Sequence, residues 1–145
     1  MIIPNDSIPA FKDAHTSVQD SLTSLRELTL TTDFKNISKR KVFFDYVISI
    51  KKQYRIMEGI LLGKKMPLVR PPGMRLYVTR TINPKQMEGW ILKIQDTMDD
   101  LIKSPNIKLK MIKQQYTFLD MVIKVLNGDA YFVGAMHNTN MAKAA

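Results

Sequence analysis

Apolar residues recur in steps of three and four along most of the chain, the signature of amphipathic α-helices. The first stripe is Phe11, Ala14, Val18, Leu22, Leu25 and Leu28. Ser7 suits the N-cap of a helix starting at Ile8, and the β-branched, polar run 29–33 predicts its end. A second helix is predicted over Ser38–Leu62. Its apolar side carries Val42, Phe43, Tyr46, Val47, Ile50, Tyr54, Met57, Ile60 and Leu61, and its opposite side Lys41, Lys51, Lys52 and Arg55. Gly63 fits the left-handed residue beyond a helix C-terminus, and Lys64 and Lys65 suit the negative end of the dipole. Asn83 followed by Pro84 predicts the next start, an N-cap with proline at the first helical position. The stripe that follows is Met87, Trp90 or Ile91, Ile94, Met98 and Leu101. Ser104 and Pro105 repeat the start signal. The last stripe is Ile107, Met111, Ile112, Gln115, Phe118, Leu119, Val122, Val125 and Leu126, with Gly128 beyond it.

Between the second and third helices the pattern breaks. Residues 64–83 hold three prolines and Gly73, which forbid a continuous helix. Met74–Thr81 alternates and is rich in Tyr, Val and Thr, so a short extended or hairpin segment is predicted there. The chain therefore reads as one all-α domain over residues 1–145. About four helices form two antiparallel pairs joined by a basic, proline-rich linker at 64–83. Residues 1–7 form an N-terminal arm. Residues 129–145 form a tail, with one further turn predicted around Tyr131–Met136.

Composition narrows the chemistry. With 145 residues, 45% of them hydrophobic, the chain has the size and apolar content of one ordinary domain. It contains no cysteine, which removes disulfide scaffolds, thiolate metal sites and a thiol nucleophile together. His15 and His137 are isolated from one another and from carboxylates at ligand spacing. Asp96 and Asp100 stand four apart on a predicted helix but gain no further oxygen or imidazole ligand on that face, too few for a hard cation. Gly63-Lys64-Lys65 lacks the upstream glycine and following Ser or Thr of a phosphate-binding loop. No nucleophile, base and orienting group can be assembled, so the sequence predicts a non-enzymatic protein without a metal or cofactor. The ten methionines read mainly as core filler. No apolar run approaches membrane-spanning length, and the start MIIPNDSIPAFKD lacks the basic and apolar regions of a secretory signal. The expected compartment is a cytoplasm, or the inside of an assembly such as a virion.

Charge adds the functional signal. The formal net charge is +9, and it is unevenly placed. Residues 1–34 carry two basic and five acidic side chains, residues 35–85 thirteen and two, and residues 86–145 seven and six. Such a block repels itself unless it is solvated or meets an anion. Lys51, Lys52, Arg55, Lys64, Lys65, Arg70, Arg75 and Arg80 are the candidate phosphate contacts, and Tyr77, between two arginines, is the candidate stacking ring. Cations on phosphates and aromatic rings under bases are how single strands are held.

Part of the C-terminal half resembles a known family. Ile91-Leu92-Lys93, Asp99-Asp100-Leu101-Ile102-Lys103-Ser104, and Tyr116-Thr117-Phe118-Leu119-Asp120-Met121-Val122-Ile123-Lys124-Val125-Leu126-Asn127 resemble the UvsY recombination mediators of T4-like phages. Tyr131-Phe132 takes the place of the aromatic residue that follows the family's last helix. The likeness covers about residues 88–136, with a gap near residue 113. It departs from the family at Asp129-Ala130, where an arginine and a glycine are usual, and at Arg70-Pro71-Pro72-Gly73. The resemblance implies a ring-forming homo-oligomer that binds single-stranded DNA and helps a recombinase displace the single-strand-binding protein. It also implies that the C-terminal helix, through Tyr116, Leu119, Val122, Ile123 and Leu126, makes the contact between copies. The alternative reading is a structural subunit of a phage head, neck or baseplate, or of another large assembly. Its linker and two ends would then be arms that wrap virion neighbours.

Overall fold

Helix boundaries fall where the capping chemistry places them. A computed structural model of the chain describes residues 8–67, 72–103 and 109–130. Its four helices are α1 (Ile8–Thr31), α2 (Ile37–Leu62), α3 (Pro84–Lys103) and α4 (Leu109–Leu126). Asn36 caps α2, its side chain accepting from the Lys39 N–H at 3.1 Å. Asn83 does the same for α3, accepting from the Lys85 N–H at 2.9 Å. Gly63 and Gly128 take positive φ values of 67° and 75°. After each, the chain folds back on the helix end: Lys64 N–H donates to Gly59 O and Asp129 N–H to Lys124 O. These are Schellman closures, and they satisfy carbonyls the helix leaves open.

α1 ends at Thr31, inside the run 29–33 predicted to stop it. Thr29 is buried, and its hydroxyl donates to Arg26 O within the last turns. That backbone partner serves Thr29 at the helix end, where a β-branched hydroxyl residue is best accommodated. The Ser7 cap, the start signal at Ser104 and Pro105, the N-terminal arm and the turn around Tyr131–Met136 lie outside the described residues.

Both predicted pairs are present, and they interlock into one four-helix bundle. α1 packs along α2 and α3; α4 packs along α2 and, less extensively, α3. Every neighbouring pair is antiparallel. Ser17 reaches Gln53 across α1 and α2. The buried His15 donates from Nε2 to Met98 O across α1 and α3, at 3.0 Å. Tyr54 meets Tyr116 across α2 and α4, and Trp90 donates from Nε1 to Phe118 O across α3 and α4. The direction order is up, down, down, up. The connection from α2 to α3 must therefore travel the length of the bundle, a long crossover rather than a hairpin. The core is one cluster contributed by all four helices, including Phe11, Leu22, Phe43, Tyr54, Met57, Ile91, Met98, Leu119 and Val122.

Among the described residues there is no strand, so the short β segment expected at 74–81 is absent as a sheet element. Its backbone bonds instead to side chains. The Arg75 N–H donates to Asn127 Oδ1 at 2.8 Å, Arg75 O and Leu76 O accept from Arg40 Nη2, and Gly73 O accepts from Asn127 Nδ2. Those bonds take up the backbone groups of 75 and 76 that a β ladder would otherwise use. Val42, read as a core position, points to solvent.

Candidate nucleic-acid interface

The crossover decides where the basic residues go. Met66 lies beside Gly59, near the C-terminal end of α2. Arg75 lies against Arg40, near its N-terminal end. The two positions are about 28 Å apart at 1.5 Å per helical residue. Cations that neighbour one another in sequence are thus separated into two groups at opposite ends of the bundle.

At one end stand Arg75, Tyr77 and Arg80. Arg40 is 3% exposed and makes no ion pair among the described residues. Its guanidinium donates to Phe34 O at 3.3 Å, Arg75 O at 2.8 Å and Leu76 O at 3.1 Å. Together with Asn127, also buried, it clamps residues 73–76 onto the bundle. The Arg75 side chain pairs with Asp129 at 2.6 Å and remains largely exposed. Directly after the clamp, Tyr77 is 83% exposed. Arg80 is also exposed. Thr81, Ile82 and Pro84 then close against Thr32–Lys35 around a small cavity of about 210 Å³. That contact brings exposed Lys35 and Lys85 to the same end, and Lys39 in the first turn of α2 joins them.

The second group runs from Lys51 and Lys52, halfway along α2, through Arg55 to Lys64 and Lys65 at the other end. Lys51 is tied to Asp120 of α4 at 2.6 Å. Arg55 donates from Nη1 to Glu58 Oε1 at 2.8 Å and from Nε to Pro67 O at 3.2 Å. Glu58 is 3% exposed, so Arg55 holds a buried carboxylate and is not a spare cation for phosphate. Beside this pair, burial and the Glu58 charge push the Tyr116 hydroxyl up to about 12, against the opposing effect of Arg55. Desolvation raises Tyr54 further still. Lys52, Lys64 and Lys65 are exposed and make no ion pair among the described residues. They rim a cleft of about 710 Å³ whose floor includes Ile56, Ile60 and Met66. Arg70, the remaining candidate cation, lies outside the described residues, as do Tyr131 and Phe132.

Most of the stripe expected between copies packs inside the chain itself. Leu119, Val122 and Leu126 are fully buried within the chain's own core, and Ile123 is nearly so. Tyr116 is half-buried edge-on against Tyr54, with ring centroids 5.9 Å apart. That stripe is covered by α2 and α3, and its burial is accounted for within the chain.

Sequence reasoning missed Arg40 and Asn127, which position the Tyr77 segment, and Ile56 and Met66 in the cleft. Arg40 carried one signal: it stands three residues before Phe43, in line with the apolar stripe. A charged residue at an inward position needs buried partners. Comparison with family models, with curated proteins and with solved structures finds no match.

Proposed function

We propose that this chain is a non-enzymatic single-stranded-DNA-binding protein, a recombination mediator of the phage type that assists loading of a recombinase. One observation carries the reading. Tyr77 is held out in solvent on backbone clamped by Arg40 and Asn127, between Arg75 and Arg80. Rings of this size usually find cover, and an uncovered one flanked by cations suits a base stacked above and phosphates to either side. Lys35, Lys39 and Lys85 extend the positive field at the same end.

The test is fluorescence anisotropy of a labelled single strand of about 30 nucleotides, long enough for several OB-sized footprints, against a duplex at two salt concentrations. Preference for the single strand is expected. Tyr77→Ala should weaken binding about 5- to 100-fold, the equivalent of roughly 1–3 kcal/mol for one stacked base. Replacing Arg75 and Arg80 by alanine should flatten the salt slope by about 0.7 per lost phosphate contact. Equal affinity for duplex and strand, indifferent to Tyr77, would overturn the proposal.

A second reading, a subunit of a virion or other large assembly, is supported by apolar side chains left exposed toward the Tyr77 end. These are Leu30, Ile37, Val42 and Leu76, the last 69% exposed. It predicts weak, structure-blind binding in the same titration.

A further inference from the structure

The cleft at the opposite end has a different chemistry from the Tyr77 end. Its lining combines Ile56, which is 59% exposed, with Ile60, Met66 and Ala10. Gly59 contributes only backbone, because a Cβ there would stand 2.7 Å from Lys64 O. Lys52 rises at one margin, and Lys64 and Lys65 at the other. The Gly63 closure holds the second margin in place. Three cations without ion pairs among the described residues thus surround an aliphatic floor. The helix C-terminus nearby contributes about half a negative charge, which offsets only a small part of that field.

We infer that this cleft docks an acidic segment of a partner protein, one that carries bulky aliphatic side chains among its carboxylates. Charge complementarity sets the sign of the occupant. The floor sets its body: branched aliphatic groups desolvate against Ile56, Ile60 and Met66. Reach sets its size. Lys52 and the Gly63 turn are about 16 Å apart along α2, more than one small anionic head group spans and about five extended residues of a peptide. A nucleic-acid strand suits the site less well, since no aromatic ring lines it among the described residues. The site is independent of the Tyr77 end, so one protein could hold a nucleic acid and an acidic partner at once.

The probe is a fluorescent peptide of about twelve residues, rich in Asp and Glu with two leucines four apart, titrated into the full chain. Its control replaces both leucines by serine. The leucine peptide should bind about tenfold more tightly than the control. The combined variant Lys52→Glu, Lys64→Glu, Lys65→Glu should weaken it by about tenfold or more, through like-charge repulsion. Ile56→Ser, which alters no charge, should weaken the leucine peptide and leave the control unchanged. Tyr77→Ala should leave peptide binding intact. Retained Trp90 fluorescence and helical circular dichroism show that each variant is folded. Equal binding of the two peptides, or unchanged binding by both cleft variants, would overturn the inference. So would displacement of the peptide by an oligothymidine whose own affinity falls equally with the charge reversal, which would make the cleft part of a nucleic-acid track.

Discussion

Arg55 and Lys51 are one helical turn apart and look equivalent in sequence, yet they differ in what their loss would do. Lys51 pairs with Asp120, which is half exposed, and such pairs are worth about 0–1 kcal/mol. Arg55 holds Glu58 inside the bundle. Arg55→Ala is therefore expected to cost about 3 kcal/mol, and Lys51→Ala less than about 1, in chemical denaturation followed at Trp90. The neighbouring tyrosines supply a second contrast. The Tyr54 hydroxyl is buried without a hydrogen-bond partner among the described residues. Tyr54→Phe keeps the edge-on ring contact and removes an unsatisfied group, so stability should be unchanged or rise by up to about 1 kcal/mol. Tyr116 gives the pH dependence. Its hydroxyl is raised in the fold from the ordinary 10.0 to about 12, so the native state keeps a proton that the unfolded chain releases. Its contribution is complete below pH 10 and is lost as the pH climbs toward 12. The melting temperature should fall across that window, and fall less in Tyr116→Phe.

Helix propensity and tertiary contact conflict most clearly at Gly59. Alanine in a helix interior is normally the better residue by about 1 kcal/mol. Here the returning chain after Gly63 sets Lys64 O 2.7 Å from where the new Cβ would stand, and that atom is backbone. The clash should win. Gly59→Ala is expected to destabilise by about 1–3 kcal/mol and to distort the cleft, seen as a lower denaturation midpoint and weaker binding of the acidic peptide. The stripes of α3 and α4 carried no such conflict. Met87, Trp90, Ile91, Ile94, Met98 and Leu101 are all buried where their spacing put them. In α2 the same reasoning misplaced Val42, because that helix is covered on only part of its circumference and a stripe's edge is set by its neighbours.

At the scale of the molecule, the crossover and its two tethers organise everything else. Arg40→Ala removes the donors to Phe34 O, Arg75 O and Leu76 O, and should cost about 2 kcal/mol. It should also lower affinity for a single strand while leaving the salt slope unchanged, since Arg40 positions Tyr77 and touches no phosphate itself. A fall in slope equal to that of an arginine at the surface would contradict this role. The chain's own pattern determined the all-α class, the number of helices, the caps at Gly63, Asn83 and Gly128 and most of the core, because helix periodicity and caps depend on residues a turn or two apart. The up, down, down, up order, the separation of one basic block into two ends, the burial of Arg40 and Glu58, and the internal burial of the stripe expected between copies came only with the tertiary structure. Those depend on which faces meet across long stretches of sequence, and a stripe of apolar residues is the same whether its cover is another helix of the chain or a second molecule.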